Sequence, residues 1–146
     1  MCRPGLQVYP MSQKKISPSL LKHDWHDEKI PWREEHLQIA AVQYLRRERI
    51  LFRVGLEGAK RKPSEAGKLK ALGLESGPPD IDMYFDGGRT AHVELKRAGG
   101  RVSEKQAQYH DELRRLGHDV YVVKAKTPAE CVERIESIVA EYEGWV

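Results

Sequence analysis

Cysteine is almost absent from this chain: among 146 residues only Cys2 and Cys131 carry a thiol. Two such distant cysteines suggest neither a disulfide framework nor a zinc site, and both read as reduced thiols of a cytoplasmic protein. Long apolar runs are missing as well. No stretch reaches the roughly 18 apolar residues that a membrane span needs. The basic N-terminus has no apolar stretch behind it, so it does not read as a secretory signal. Neither an internal repeat nor a low-complexity segment is present. An excess of one charge is also lacking: 25 Lys and Arg stand against 22 Asp and Glu, a net charge of +3. That balance permits a nucleic-acid partner without demanding one. The remaining composition, 40% hydrophobic and 32% charged, is that of a globular domain of ordinary size.

Residues 1–28 show no periodicity, hold three prolines and read as a loosely ordered arm; residues 29–146 read as one domain. The arm contains His23, Asp24, Trp25, His26 and Asp27. These are metal-ligand types, but with no distant third ligand implied they read as an acidic, aromatic turn. Trp32 to Arg49 is helical, with Leu37, Ala41, Tyr44 and Leu45 on one apolar face. Ile50–Val54 is a short strand. Gly55–Gly77 is a long connection whose Lys60, Arg61, Lys62, Lys68 and Lys70 suit either a phosphate backbone or plain solvation. Ser103–Leu116 is a helix capped by Ser103 and closed by Gly117. Asp119–Lys124 is a strand. Thr127 to about Tyr142 is a last helix with Thr127 as N-cap, Pro128 first and Glu130 completing a capping box. With the two strands described next, the order is α-β-β-β-α-β-α.

Those two strands flank Asp86-Gly87-Gly88. Strand side chains alternate faces. Ile81, Met83 and Phe85 therefore share one face, and Asp80, Asp82 and Tyr84 the other. On the second strand Ala91, Val93 and Leu95 oppose His92, Glu94 and Lys96. A three-residue turn sets Ile81 against Val93 and Asp80 against Glu94; a shift of two residues sets Asp82 against Glu94 instead. In both registers carboxylates share a face, and like charges placed opposite one another destabilise a sheet. Lys96 on the same face is one remedy. A hard divalent cation is another, because carboxylate oxygens suit magnesium or manganese. Such an ion would polarise a phosphodiester and acidify a bound water, with a lysine beside it to stabilise the developing charge. An E-x-K triplet alone is more often a solvated strand edge; the matched face and the element order around it favour an active site.

The same residues resemble a known family. Gly77-Pro78-Pro79-Asp80-Ile81, followed by Glu94-Leu95-Lys96, is similar to the PD-(D/E)XK nuclease superfamily. Adding Glu34 with Gln38, the run Lys70–Ile81, Arg97 and the Ser103-Glu104-Lys105-Gln106 helix start, the chain resembles the virus-type replication-repair nuclease branch, VRR-NUC, over roughly Trp32–Lys124. The resemblance implies an α/β fold with a restriction-endonuclease-like core, αβββαβ, and a C-terminal helix on a mixed sheet. It implies Asp80, Glu94 and the carbonyl of Leu95 as metal ligands, Lys96 as the catalytic lysine, Glu34 as the acid of the first helix and Gln106 as the supporting glutamine. Helical phase favours Glu34 over its neighbour Glu35, and Gln106 also fits a capping box with Ser103.

It further implies a Mg2+-dependent deoxyribonuclease, with Mn2+ able to substitute. Stand-alone members resemble Holliday-junction resolvases that cut branched DNA as homodimers, in bacterial or phage-infected cells. A non-catalytic nucleic-acid-binding module and a sequence-specific restriction-type nuclease are the competing expectations on the same fold. Among other residues, His92 is expected to pair with Asp82, His110 to lie on a helix surface, and Arg97, Arg101 and Lys105 to meet a DNA backbone.

Overall fold

The structure, a computed structural model, describes residues 24–55 and 65–144. Helix α1 (Glu34–Arg47) is followed by strand β1 (Leu51–Val54), a short helix α2 (Ala66–Ala71), strands β2 (Ile81–Tyr84) and β3 (Thr90–Arg97), helix α3 (Glu104–Arg115), strand β4 (Asp119–Ala125) and helix α4 (Pro128–Glu143). The strands form one sheet in the order β1-β2-β3-β4. The first three are antiparallel neighbours, and β4 runs parallel to β3 after the α3 crossover. This is the mixed α/β sheet with a C-terminal helix expected from the sequence.

The core forms where three apolar patterns coincide. Leu37, Ala41, Tyr44 and Leu45 of α1 meet Ile135, Ile138, Val139 and Tyr142 of α4 over Ile81, Met83, Ala91, Val93 and Leu95 of the sheet. Every one of these is buried. Removing their apolar surface from water is the main stabilising contribution, at about 25 cal/mol per Å2. Cys131 packs in the same layer, where burial pushes its thiol up to about 12.

Helix ends follow local chemistry. Helix α1 starts two residues later than expected, because Trp32 is buried ahead of it with Nε1 donating to Asp27 O at 2.8 Å. The backbone N–H of Arg33 then donates to His36 Nδ1. Glu34 and Glu35 open this helix and Arg46 and Arg47 close it, which complements its dipole. At α4 the Oγ1 of Thr127 accepts from Glu130 N, as expected, but Glu130 reaches one residue further back than a capping box and accepts from Lys126 N.

Two stretches differ from expectation. The end of the expected arm, residues 24–28, is turn backbone: Asp24 and Asp27 accept from His26 N and Lys29 N, and Trp25 O accepts from Ala129 N of α4. The connection from 55 to 77 contains α2, whose Lys68 and Lys70 are exposed. Lys60, Arg61, Lys62 and His23 lie outside the described residues.

Candidate active site

The turn Asp86–Gly88 sets the site's register. Gly87 and Gly88 take φ of 76° and 72°, a left-handed conformation that glycine adopts without the Cβ penalty of other residues. The closure that results pairs Ile81 with Val93 and Asp82 with His92. Of the two registers compatible with the sequence, this is the one from a three-residue turn. One step beyond the paired residues, Asp80 Oδ2 accepts from the backbone N–H of Leu95 at 2.7 Å. Asp80 is thus clipped to the strand that carries Glu94 and Lys96.

Glu94 is 1% exposed. Its Oε1 accepts from Gln106 Nε2 at 2.7 Å and lies 3.5 Å from Lys96 Nζ. Its Oε2 is buried with no hydrogen-bond partner. Burial, reinforced by the nearby charge of Asp80 and further by Glu34, pushes the Glu94 carboxyl up to about 7, against the opposing pull of Lys96. Lys96 is itself buried, and its Nζ is 4.0 Å from Glu34 Oε1. Glu35 instead pairs with Arg33 on the exposed side of α1. The helical phase that favours Glu34 therefore agrees with the geometry. Gln106 holds both positions open to it: its Oε1 accepts from Ser103 N in the capping box while its Nε2 bonds Glu94. The structure brings Glu34, Asp80, Glu94, Leu95, Lys96 and Gln106 to one end of the β2–β3 ribbon.

His110 corrects the sequence reading. Expected on a helix surface, it is 2% exposed and is the one residue of α3 that is buried. Its Nε2 is 3.8 Å from Glu94 Oε2, and it too is buried without a hydrogen-bond partner. Desolvation, then Arg114 and Lys96, hold its pKa below the usual histidine value, which favours the neutral ring. A signal existed in the spacing: His110 is one helical turn beyond Gln106, so whatever turns Gln106 toward Glu94 turns His110 the same way. The helix is so polar that no apolar stripe marks that face.

Further along the same sheet face, Asp82 is the centre of a second polar group. His92 Nδ1 donates to Asp82 Oδ1 at 2.6 Å, the pairing expected from the sequence, and Arg53 Nη2 donates to Oδ2 at 3.0 Å. These partners outweigh the effect of burial and hold the Asp82 carboxyl below its ordinary value. Asp82 is thereby occupied, and the acid near Glu94 is Asp80.

Two acids, Glu34 and Glu94, flank one buried amine, and a third, Asp80, acts on Glu94 from the neighbouring strand end. A buried carboxylate oxygen with no partner, on a group pushed up toward neutral pH, is a place that a proton or a cation would satisfy. Carboxylate oxygens are donors for a hard dication such as magnesium or manganese. Among the described residues no three Asp, Glu, His or Cys side chains gather closely enough to form a ready cage. Magnesium does not require one, since it takes one or two carboxylates and keeps several waters. Asp80, Glu94 and the Leu95 carbonyl are residues that could hold it.

A mixed four-stranded sheet flanked by helices, with two carboxylates and a lysine at one end of its central ribbon, is the α/β fold class expected from the sequence. The family model for the VRR-NUC domain matches residues 25–127, and the chain belongs to that family. The resemblance read from the GPPDI and ELKR motifs is borne out. Among solved structures, a protein described as a VRR_NUC domain protein is 20% identical, with a TM-score of 0.55 over 76% of this chain and 88% of that one. A second, described as a VRR_NUC domain, is 21% identical, with a TM-score of 0.50 over 75% and 96%. At these identities the likeness is one of fold. No curated protein matches the chain.

Proposed function

We propose that the chain is a Mg2+-dependent, structure-selective DNA endonuclease that hydrolyses phosphodiester bonds in branched DNA, such as a four-way junction, and works as a homodimer. The observation that carries this reading is the buried Glu94 beside Asp80 and Lys96, with Glu94 Oε2 unpartnered. Asp80 and Glu94 would hold the ion, helped by the Leu95 carbonyl. A bound dication supplies charge neutralisation at the phosphate and a more acidic water. Lys96, kept in place by Glu94 and Glu34, donates to a phosphate oxygen or orients the attacking water. Gln106 donates to Glu94 Oε1 and so would leave Oε2 as the oxygen available to an ion. Arg97, Arg101 and Lys105 are exposed just past the ribbon, where they can meet backbone phosphates without reading bases.

The test is a panel of labelled junction, flap, linear duplex and single-stranded DNA, incubated with Mg2+ or EDTA and with wild type, Asp80→Ala and Lys96→Ala. Junction cleavage that needs Mg2+ and falls by about 100-fold or more in both variants supports the reading. Cleavage unchanged in Asp80→Ala removes that residue from the site. Cleavage of linear duplex at one sequence makes the chain a restriction-type enzyme, and binding without cleavage makes it a binding module. Light scattering of the free protein checks the dimer.

A further inference from the structure

We propose that His92 and His118 form a binding site for a single transition-metal dication of the zinc class, separate from the carboxylate pair. His92 Nε2 and His118 Nδ1 face each other at 3.4 Å. Two nitrogens bound tetrahedrally to one zinc at about 2.0–2.1 Å lie roughly 3.3–3.4 Å apart, so the observed separation, which also suits a hydrogen bond between the rings, fits two ligands sharing an ion.

The opposite side of the His92 ring supplies a second, independent observation. Its Nδ1 donates to Asp82 Oδ1 at 2.6 Å. That bond selects the tautomer in which Nε2 carries the lone pair and points toward His118. A carboxylate behind a histidine is the usual support of a metal-binding imidazole: it orients the ring and raises its basicity. Asp82 is in turn anchored by Arg53, so this support is braced on both oxygens. The Asp82 charge also offsets the repulsion that Arg53 would exert on a bound cation.

Both histidines stand on fixed backbone. His92 is central in β3, paired with Asp82 on one side and Val120 on the other. His118 follows Gly117, which has φ of 90°. There His118 N donates to Leu113 O at 2.9 Å and Gly117 N to Arg114 O at 3.0 Å, a closed helix end that leads straight into β4. Sites on such elements hold their geometry better than sites on free loops. The donor chemistry separates this site from the acid pair: imidazole suits zinc, copper, nickel and cobalt, whereas magnesium prefers oxygen. Two protein ligands leave two tetrahedral positions for water or an anion.

The experiment uses tag-free, EDTA-washed full-length protein. Zinc uptake is followed by calorimetry, and cobalt uptake by the visible bands that tetrahedral Co2+ shows and octahedral Co2+ does not. Wild type, His118→Gln and Asp80→Asn are compared. The expected result is one tetrahedral ion in wild type and in Asp80→Asn, with affinity reduced at least about tenfold in His118→Gln. His118 is exposed, so the fold of that variant is maintained, and its thermal melt checks this. Equal affinity in His118→Gln, or no uptake by wild type, overturns the site and leaves the two rings joined only by a hydrogen bond. Loss of uptake in Asp80→Asn alone assigns the ion to the acid pair and overturns it as well. The His118→Gln outcomes do not bear on the proposed nuclease activity, which rests on other residues, whereas loss of uptake in Asp80→Asn alone would show that the acid pair binds the ion.

Discussion

Glu94 has one oxygen held by Gln106 and the other facing an imidazole at 3.8 Å, so its protonation state is tied to the stability of the whole domain. Its carboxyl is pushed up to about 7 from an ordinary 4.5. A group raised in this way binds its proton more tightly folded than unfolded. Its contribution is full below about 4.5 and is lost as pH rises through 7. Without divalent ions the protein should therefore lose on the order of 3 kcal/mol between pH 5 and 8, about 1.4 kcal/mol for each unit of displacement. Urea unfolding in EDTA should show this fall in wild type and not in Glu94→Gln; the same slope in both would refute it. Magnesium should restore stability at pH 8 by mass action, as any ligand of the folded state does. His110 gives a second prediction at this scale. Replacing it with Phe sets hydrocarbon against Glu94 Oε2, so junction cleavage at pH 7 should drop by about tenfold while folding survives, as read by initial rates and circular dichroism.

At the scale of elements, the lead-in to β2 is held against α3 by one glycine. Gly77 has φ of 114°, and a Cβ there would meet Lys105 O at 2.9 Å. That oxygen belongs to helix backbone and cannot swing away. Gly77→Ala should cost about 2 kcal/mol or more, whereas Gly87→Ala, also at positive φ but with open space around it, should cost about 1 kcal/mol. Equilibrium unfolding of the two variants gives the comparison, and equal costs would mean that the close approach does not matter. These elements also show what the sequence could convey. The β2–β3 register was legible down to two choices, because alternating faces forbid a one-residue slip; the Asp86–Gly88 turn closes on the one that pairs Ile81 with Val93. Helix α1 was legible because its stripe is apolar. Helix α2 was not: six residues, none of them buried, leave no periodicity to read. Helix α3 was found by its cap and Gln106 by resemblance, but His110 was misplaced because the residues this helix turns to the sheet are Gln106 and His110 rather than aliphatics. Hydrophobic pattern reveals a buried face only when that face is greasy; here it is polar because it serves a charged site.

Across the whole molecule, a net charge of +3 says little about where DNA would bind, because acids and bases are nearly balanced. Position says more. Arg97 ends β3, Arg101 lies in the loop after it and Lys105 in the first turn of α3; all three are exposed and follow Lys96 closely in the chain. If a phosphate sits at Lys96, these three exposed side chains are the expected partners of the flanking phosphates. Contacts of that kind are electrostatic and blind to sequence, so each one releases counterions when it forms. Replacing the three with Gln, singly and then together, in a Lys96→Ala background that holds off cleavage, should weaken binding to junctions of different sequence by the same factor. The slope of log affinity against log salt should flatten by about 0.9 for each contact removed from duplex arms. Fluorescence anisotropy across a salt series measures both quantities. A slope unchanged in the triple variant would move the DNA path to another face, with Lys68 and Lys70 of α2 as the next basic residues to test.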